Sequence, residues 1–258
     1  MAIITKLRLV AATLLGLMPL AMAAQSGVEA KLDADVISHY WWRGQDHGGV
    51  SVQPHLNVAW QGLSISLAGS IGFESKDARE VNTTLGYTLH GVNIGITDYW
   101  KTGIDASNRF FYFDEKKGAH RLEGNIGYSC QYFSLQAYTV FWGNDYKISG
   151  DKAYSTFIKL EVPFRLGGVD WLLTGGMTPF ESAGYEEKVE KVSAVGRTYT
   201  ATDPVYDYAG NTACVLASLR ATKALDLGFS KLPVFAEVVT NPYMRKADFL
   251  FGFTITPF

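Results

Sequence analysis

VEAKLDADVISHYWWR, residues 28–43, is the stretch that decides the fold. Its even positions are Val28, Ala30, Leu32, Ala34, Val36, Ser38, Tyr40 and Trp42. Its odd positions are Glu29, Lys31, Asp33, Asp35, Ile37, His39 and Trp41. Alternation at period two describes a strand whose two faces meet different media. Strands of soluble sheets run about 5–6 residues. A strand tilted across a bilayer needs roughly 9–11, apolar outward and polar inward. A soluble sheet rarely needs a strand as long as this stretch, and Tyr40 and Trp42 fall where an interfacial aromatic belt would lie. One such segment is also compatible with a soluble sandwich, so the decision rests on repetition.

The pattern repeats. Val52 to Trp60, Leu63 to Phe73, Val81 to Leu89 and Val92 to Trp100 alternate in the same way. So do Ala119 to Cys130, Phe133 to Phe141, Tyr154 to Phe164, Val169 to Met177, Ala213 to Ala221, Val234 to Val239 and Ala247 to Ile255. Twelve strands are predicted. Connections on one side are short (Gln61-Gly62, His90-Gly91, Ser129 to Tyr132, Arg165 to Gly168), with Lys223 to Leu232 as the exception. Those on the other side are longer and polar, notably Lys101 to Gly118 and Thr178 to Thr212. This asymmetry is how outer-membrane barrels are built.

Aromatics sort with it. Trp60, Tyr87, Tyr128, Phe133, Phe164 and Trp171 gather near the short-turn end. Trp42, Phe73, Trp100, Phe141 and Tyr154 gather near the long-loop end, as two membrane interfaces would require. The predicted fold is all-β: a single antiparallel transmembrane β-barrel of about twelve strands, with short periplasmic turns and long outer loops.

Residues 1–23 have the form of a secretory signal peptide. Lys6 and Arg8 precede an apolar run from Leu9 to Leu20, and Ala21-Met22-Ala23 is a small-x-small cleavage site. Residues 24–258 then form one barrel domain. Without the leader the chain has 21 Lys+Arg against 25 Asp+Glu. Nothing basic enough for nucleic acid stands out. The sequence contains no second apolar run of a helical span's length.

The chain ends in Phe258. A carboxy-terminal aromatic on a last strand resembles the signal read by the barrel-assembly machinery, which the reading makes a partner together with outer-membrane lipids. Pro257 breaks the phase there. Phe249, Phe251, Phe253 and Ile255 form the stronger apolar set, out of step with Phe258.

Ser38-His39-Tyr40-Trp41-Trp42-Arg43-Gly44 reads S-x-Y-x-x-R-G. With the leader, Pro54 early in the second strand and the terminal Phe, it resembles a largely uncharacterised family of outer-membrane porin-like proteins of Gram-negative bacteria. The resemblance implies a bacterial outer-membrane location and Ser38, Tyr40, Arg43 and Gly44 as motif residues. It implies nothing about the solute.

Parity assigns Glu29, Lys31, Asp33, Asp35, His39, His55, Arg121, Glu123, Lys159, Glu161, Asp170, Arg220, Glu237 and Asp248 to the lumen. Eight acids against four bases favour cations. The alternative is that these groups pair and fill the interior, since about eight strands are already filled by side chains and clear channels appear near sixteen. Arg43 could cap its strand, pair with loop acids or reach a constriction. Arg109, Phe110, Phe111, Tyr112 and Phe113 form either an inward constriction loop or an exposed apolar cluster. The acidic Thr178 to Thr212 loop lacks metal-ligand spacing, and no cofactor or metal is expected.

The expected function is a porin-like channel for passive passage of small solutes, weakly cation-preferring. A non-conducting structural or adhesive barrel is the alternative. A barrel enzyme of lipase or protease type ranks lower, because the Gly62-Leu63-Ser64-Ile65-Ser66 stretch fails the G-x-S-x-G elbow at its last position. Cys130 and Cys214 should both be free: strand order separates them by roughly the 25 Å apolar band, beyond disulfide reach. Cys130 is expected at the lipid interface and Cys214 facing inward.

Overall fold

The computed structural model describes residues 27–74, 77, 79–102, 109–192, 198–228 and 230–256. The leader and Phe258 lie outside the described residues. Sixteen strands are present among them: β1 (Val28–Ile37), β2 (Tyr40–Trp42), β3 (Gln45–Gly48), β4 (Ser51–Trp60), β5 (Leu63–Gly72), β6 (Arg79–Leu89), β7 (Val92–Thr102), β8 (His120–Ser129), β9 (Ser134–Gly143), β10 (Thr156–Leu166), β11 (Val169–Thr178), β12 (Gly184–Val192), β13 (Thr198–Tyr206), β14 (Ala213–Asp226), β15 (Lys231–Asn241) and β16 (Lys246–Ile255). Twelve close an antiparallel barrel in the order β1-β16-β15-β14-β11-β10-β9-β8-β7-β6-β5-β4. The other four form two separate hairpins, β2–β3 and β12–β13. The predicted strand number and barrel class hold.

The predicted parity also holds on the outer wall. Ile65, Leu85, Ile94, Ile96, Ile126, Leu160, Leu173, Val238, Phe249 and Phe251 all point outward and are exposed. Trp60, Tyr87, Tyr128 and Phe164 lie toward the short-turn end, Phe73, Phe141 and Tyr154 toward the other. An apolar surface of this extent does not suit water. At the short-turn end, Gln61-Gly62, His90-Gly91 and Gly167-Gly168 all have positive φ at both central residues. That is the mirror-image turn whose twist matches two joined strands. Among the described residues, no helix is long and apolar enough to cross a membrane, which says nothing of a barrel.

Four sequence expectations are corrected. The first strand does not run from Val28 to Arg43. It stops at Ile37, a bend follows, and β2–β3 turns back into the barrel. Tyr40 and Trp42 therefore belong to the interior rather than to an aromatic belt. The bend costs the wall nothing, because β4 pairs with β1 along ten residues, from Val28↔Trp60 to Ile37↔Ser51.

Second, the long connection Lys223 to Leu232 does not exist, since β14 and β15 extend to the pair Asp226↔Lys231. Third, Cys214 faces outward. The register slips between Gly176 and Met177, so that Gly176 opposes Leu216 and Met177 opposes Cys214. The extra residue, Val215, is buried with Leu216, and the bulge turns Cys214 to the exposed side. Both cysteines are free, as expected.

Fourth, of the two readings left open for Arg109 to Phe113, the inward constriction fails and the exposed apolar cluster holds. The segment folds over the outside of the wall, where Phe110 packs on Trp100 at 5.1 Å and Phe113 stacks on His120 at 4.3 Å. His120 Nδ1 lies 2.8 Å from Asp98 Oδ2, and its Nε2 donates to the Phe110 carbonyl. Trp100 and His120 are cross-strand partners on the outward side, so the loop has an apolar surface to cover there.

Candidate functional site

The interior is organised by β2–β3. Trp42 pairs with Gln45 across Arg43-Gly44, a two-residue turn with φ of 51° and 80°. The geometry matches the short wall turns, but this turn points into the barrel. Gly44 is required by contact as well as conformation: a Cβ there would sit 1.8 Å from the Val215 carbonyl oxygen. Asn241 Nδ2 donates to the Gly44 carbonyl at 3.0 Å, fixing the tip to β15.

Each motif residue has a role in this docking. The Ser38 backbone NH donates to Phe251 O, and Ser38 Oγ accepts from Phe251 NH at 3.0 Å, which fastens the bend to β16. The Tyr40 hydroxyl donates to Glu80, which is 5% exposed. Arg43 is held from all sides. Its Nη1 and Nη2 donate to Glu123 Oε2 and Oε1 at 2.6 and 2.8 Å, a bidentate fork. Nη1 also donates to the Tyr208 hydroxyl at 2.8 Å and Nη2 to the Tyr99 hydroxyl at 3.3 Å. Tyr99 in turn donates to Glu123 Oε1 at 2.9 Å.

The Arg43 guanidinium carbon lies 4.3 Å from the Trp42 ring centre, 4.2 Å from Tyr138 and 5.1 Å from Phe157. The side chains of Arg43 and Glu123 are 7% and 2% exposed. A pair so buried gains little over an apolar core, but removing one partner strands a charge. Burial pushes the Tyr208 phenol up to about 12; Arg43 opposes this and Glu123 reinforces it.

The Arg43 cluster separates two cavities. Toward the short-turn end lies one of about 670 Å³, lined by Asn125, Gln136, Thr174 and Ser218 with the pairs Lys159–Glu161 and Arg220–Glu237. Toward the long loops lies one of about 230 Å³, lined by Lys101, Arg121, Asn144 and Asp207. Trp42 and Tyr99 line both.

The sequence-assigned lumen residues are distributed along this axis. Glu29, Lys31 and Asp170 are at the short-turn end; Lys31 pairs with Asp33 at 2.8 Å, and Asp170 with Arg165 at 3.5 Å. Asp33 lies 3.7 Å from His55, and Asp35 accepts from Thr254 at 2.6 Å. Lys159 meets Glu161 at 2.9 Å and Arg220 meets Glu237 at 2.8 Å. Arg121 reaches Asp207 and the Asn144 carbonyl. His39 bridges the hairpin to the wall, its two ring nitrogens each 2.8 Å from a carboxylate, Asp46 and Asp248. Trp41 Nε1 donates to Asp248 at 3.0 Å.

Tyr99, Tyr138, Phe157 and Tyr208 escaped the sequence analysis. The first two carry a usable signal: Tyr99 is in phase with Asn93 and Thr97, and Tyr138 with Ser134 and Gln136, all on polar faces. Phe157 is likewise in phase with Lys159 and Glu161. Tyr208 lies in a loop and carries no periodic signal.

No family model matches the sequence, and no curated protein matches it. Solved structures similar to the chain include one from "Unveiling the Mechanism Behind the in-meso Crystallization of Membrane Proteins". Identity there is 9%, coverage is 88% of this chain and 82% of that one, and the TM-score is 0.46. A match of that strength assigns neither family nor function. By its own architecture, apolar outside and polar inside, the chain is a membrane-type β-barrel.

Proposed function

We propose that the protein is an outer-membrane, porin-like channel for small solutes, with the Arg43 cluster as its constriction. The observation that carries this is the polar cavity of about 670 Å³ inside a closed barrel whose outside is apolar. Its volume is in the range of solute-binding cavities, roughly 300–1,000 Å³. The porin-like family resemblance supports the same reading through Ser38, Tyr40, Arg43 and Gly44, which all serve the inward hairpin.

Ionic preference follows from the lining. Glu80, Asp46 and Asp207 join the acids assigned from sequence, and Arg43 and Lys101 join the bases. The excess therefore remains acidic and favours cations weakly, because most of these groups are already paired.

Two of the five histidines support a channel over an enzyme. Both ring nitrogens of His39 and of His120 are taken by acceptor oxygens. Neither is left to activate a nucleophile. Small single-channel conductance with a cation-side reversal potential is expected for the refolded protein in a planar bilayer under a salt gradient. Silence in that bilayer would instead favour a structural barrel.

A further inference from the structure

Arg43 is held in the way a bound cation is held. Its partners come from five separate places in the chain: Glu123 and Tyr99 on β8 and β7, Tyr138 on β9, Phe157 on β10, and Tyr208 beyond β13. Together they present one buried carboxylate, two phenol oxygens and aromatic rings to a planar, delocalised charge. A carboxylate engaged through both oxygens and rings about 4.2 Å away select guanidinium over a compact ammonium.

The arm that delivers Arg43 is separable from the wall. β2 and β3 pair only with each other, while β1 and β4 complete the barrel behind them. Withdrawal of the hairpin leaves the wall ladder intact and vacates the cage.

We infer that the constriction is a recognition site for guanidinium-bearing solutes, with Arg43 as its tethered resident. This rests on the channel reading, and it adds the solute class. A free guanidinium compound takes the place of Arg43 between Glu123 and the rings, and the larger cavity receives the rest of the molecule.

The test uses the full barrel with Arg43→Ala, alone and combined with Glu123→Gln, and methylguanidinium as the probe against methylammonium as control. In planar bilayers Arg43→Ala should conduct more than the parent. Methylguanidinium should block it at a concentration about tenfold lower than it needs in the double variant. In detergent the same probe should raise the thermal transition of Arg43→Ala and leave that of the double variant unmoved.

Block no stronger than that by methylammonium, or equal in both variants, overturns the inference and leaves the channel standing. A silent Arg43→Ala overturns the channel, and the thermal shift then decides the cation site by itself: a shift dependent on Glu123 sustains it, and none removes it. Should Arg43→Ala not refold, refolding with millimolar methylguanidinium reads the same site. Recovery with methylguanidinium but not with methylammonium supports it, and no recovery overturns it.

Discussion

The hairpins β2–β3 and β12–β13 are both inserted between neighbouring wall strands, one between β1 and β4 and the other between β11 and β14. They meet opposite fates. The first carries Tyr40, Trp41 and Trp42, and turns inward. The second reads GYEEKVEKV along β12, with Tyr185 60% exposed and Lys191–Asp203 pairing in the open. Aromatic residues next to one cation that finds a buried carboxylate suit a narrow polar lumen; five charges among the nine residues of β12 suit water. The two are nevertheless in contact at one point. Tyr208, at the foot of the outer hairpin, accepts a hydrogen bond through its hydroxyl from Arg43 at the tip of the inner one.

That foot is built as firmly as the inner hairpin. Ser182 Oγ accepts from the Tyr208 and Ala209 backbone NH groups at 2.9 and 3.2 Å and donates to the Ala209 carbonyl at 3.1 Å. The Ala183 NH donates to Ser155 Oγ at 2.7 Å. The structural boundary therefore runs across the outer hairpin, between a buried base and a solvated stem, rather than between the two hairpins.

The largest effect is expected from Arg43→Ala. It leaves the Glu123 carboxylate buried among rings and should destabilise by about 3–5 kcal/mol. Thermal or urea unfolding of the refolded barrel, scored by loss of its compact migration in detergent gels, measures this. An unchanged transition would mean that Glu123 is hydrated or protonated and that the cluster does not hold the interior together. Arg43→Ala with Glu123→Gln should recover much of the loss.

Gly44→Ala comes next. The new methyl group meets the Val215 carbonyl at a distance no packing adjustment absorbs, and φ 80° adds strain, so the tip must lift away. Overpacking of this kind costs about 1–3 kcal/mol. Conductance should rise as the constriction loosens. A stable variant with the parent's conductance would show that the tip is not the narrow point.

His39→Ala removes the bridge from Asp46 to Asp248. The ring is one-third exposed, so solvent screens both contacts and the loss should be about 1 kcal/mol. Its signature is local: faster amide exchange in β2–β3 with the wall strands unchanged. Equal acceleration in β16 would mean that the bridge supports the seam instead of the hairpin.

How much of this was legible in the sequence depends on whether a periodic medium acts on the residue. The wall strands face lipid-like apolar surroundings on one side throughout, so Ile65, Ile94 or Phe251 reveal their side by parity alone. The inner hairpin hid because VEAKLDADVI runs without a break of phase into SHYWWR. Period two cannot distinguish a strand that continues from one that folds back. Arg43-Gly44 carried the missing signal: it has the same residue–glycine form as Gln61-Gly62 and His90-Gly91. Read as a turn, it places Trp42 opposite Gln45. Cys214 was assigned to the wrong face for a related reason: one bulged residue, Val215, puts the residue before it out of phase with Leu216 to Arg220 after it. The partners of Arg43 were beyond reach, because Glu123 and Tyr208 are brought to it by closure of the whole barrel.

The smallest effect is expected at the solvated stem. Replacing residues 186–204 with a short Asn-Gly turn should change barrel stability by less than about 0.5 kcal/mol, as for surface changes away from buried groups. It should leave conductance unaltered. β12 pairs only with β13, so none of the ladder bonds of β11 or β14 depends on the stem. Ser182→Ala, a far smaller change at the foot, should do more. It takes the acceptor from two buried NH groups and loosens the loop that holds Tyr208 against Arg43, at about 1–3 kcal/mol. Comparing the two variants by urea unfolding and by conductance sets the boundary. If the large deletion proves the more damaging, the stem has a structural role of its own, and the boundary between hairpin base and hairpin stem drawn here is wrong.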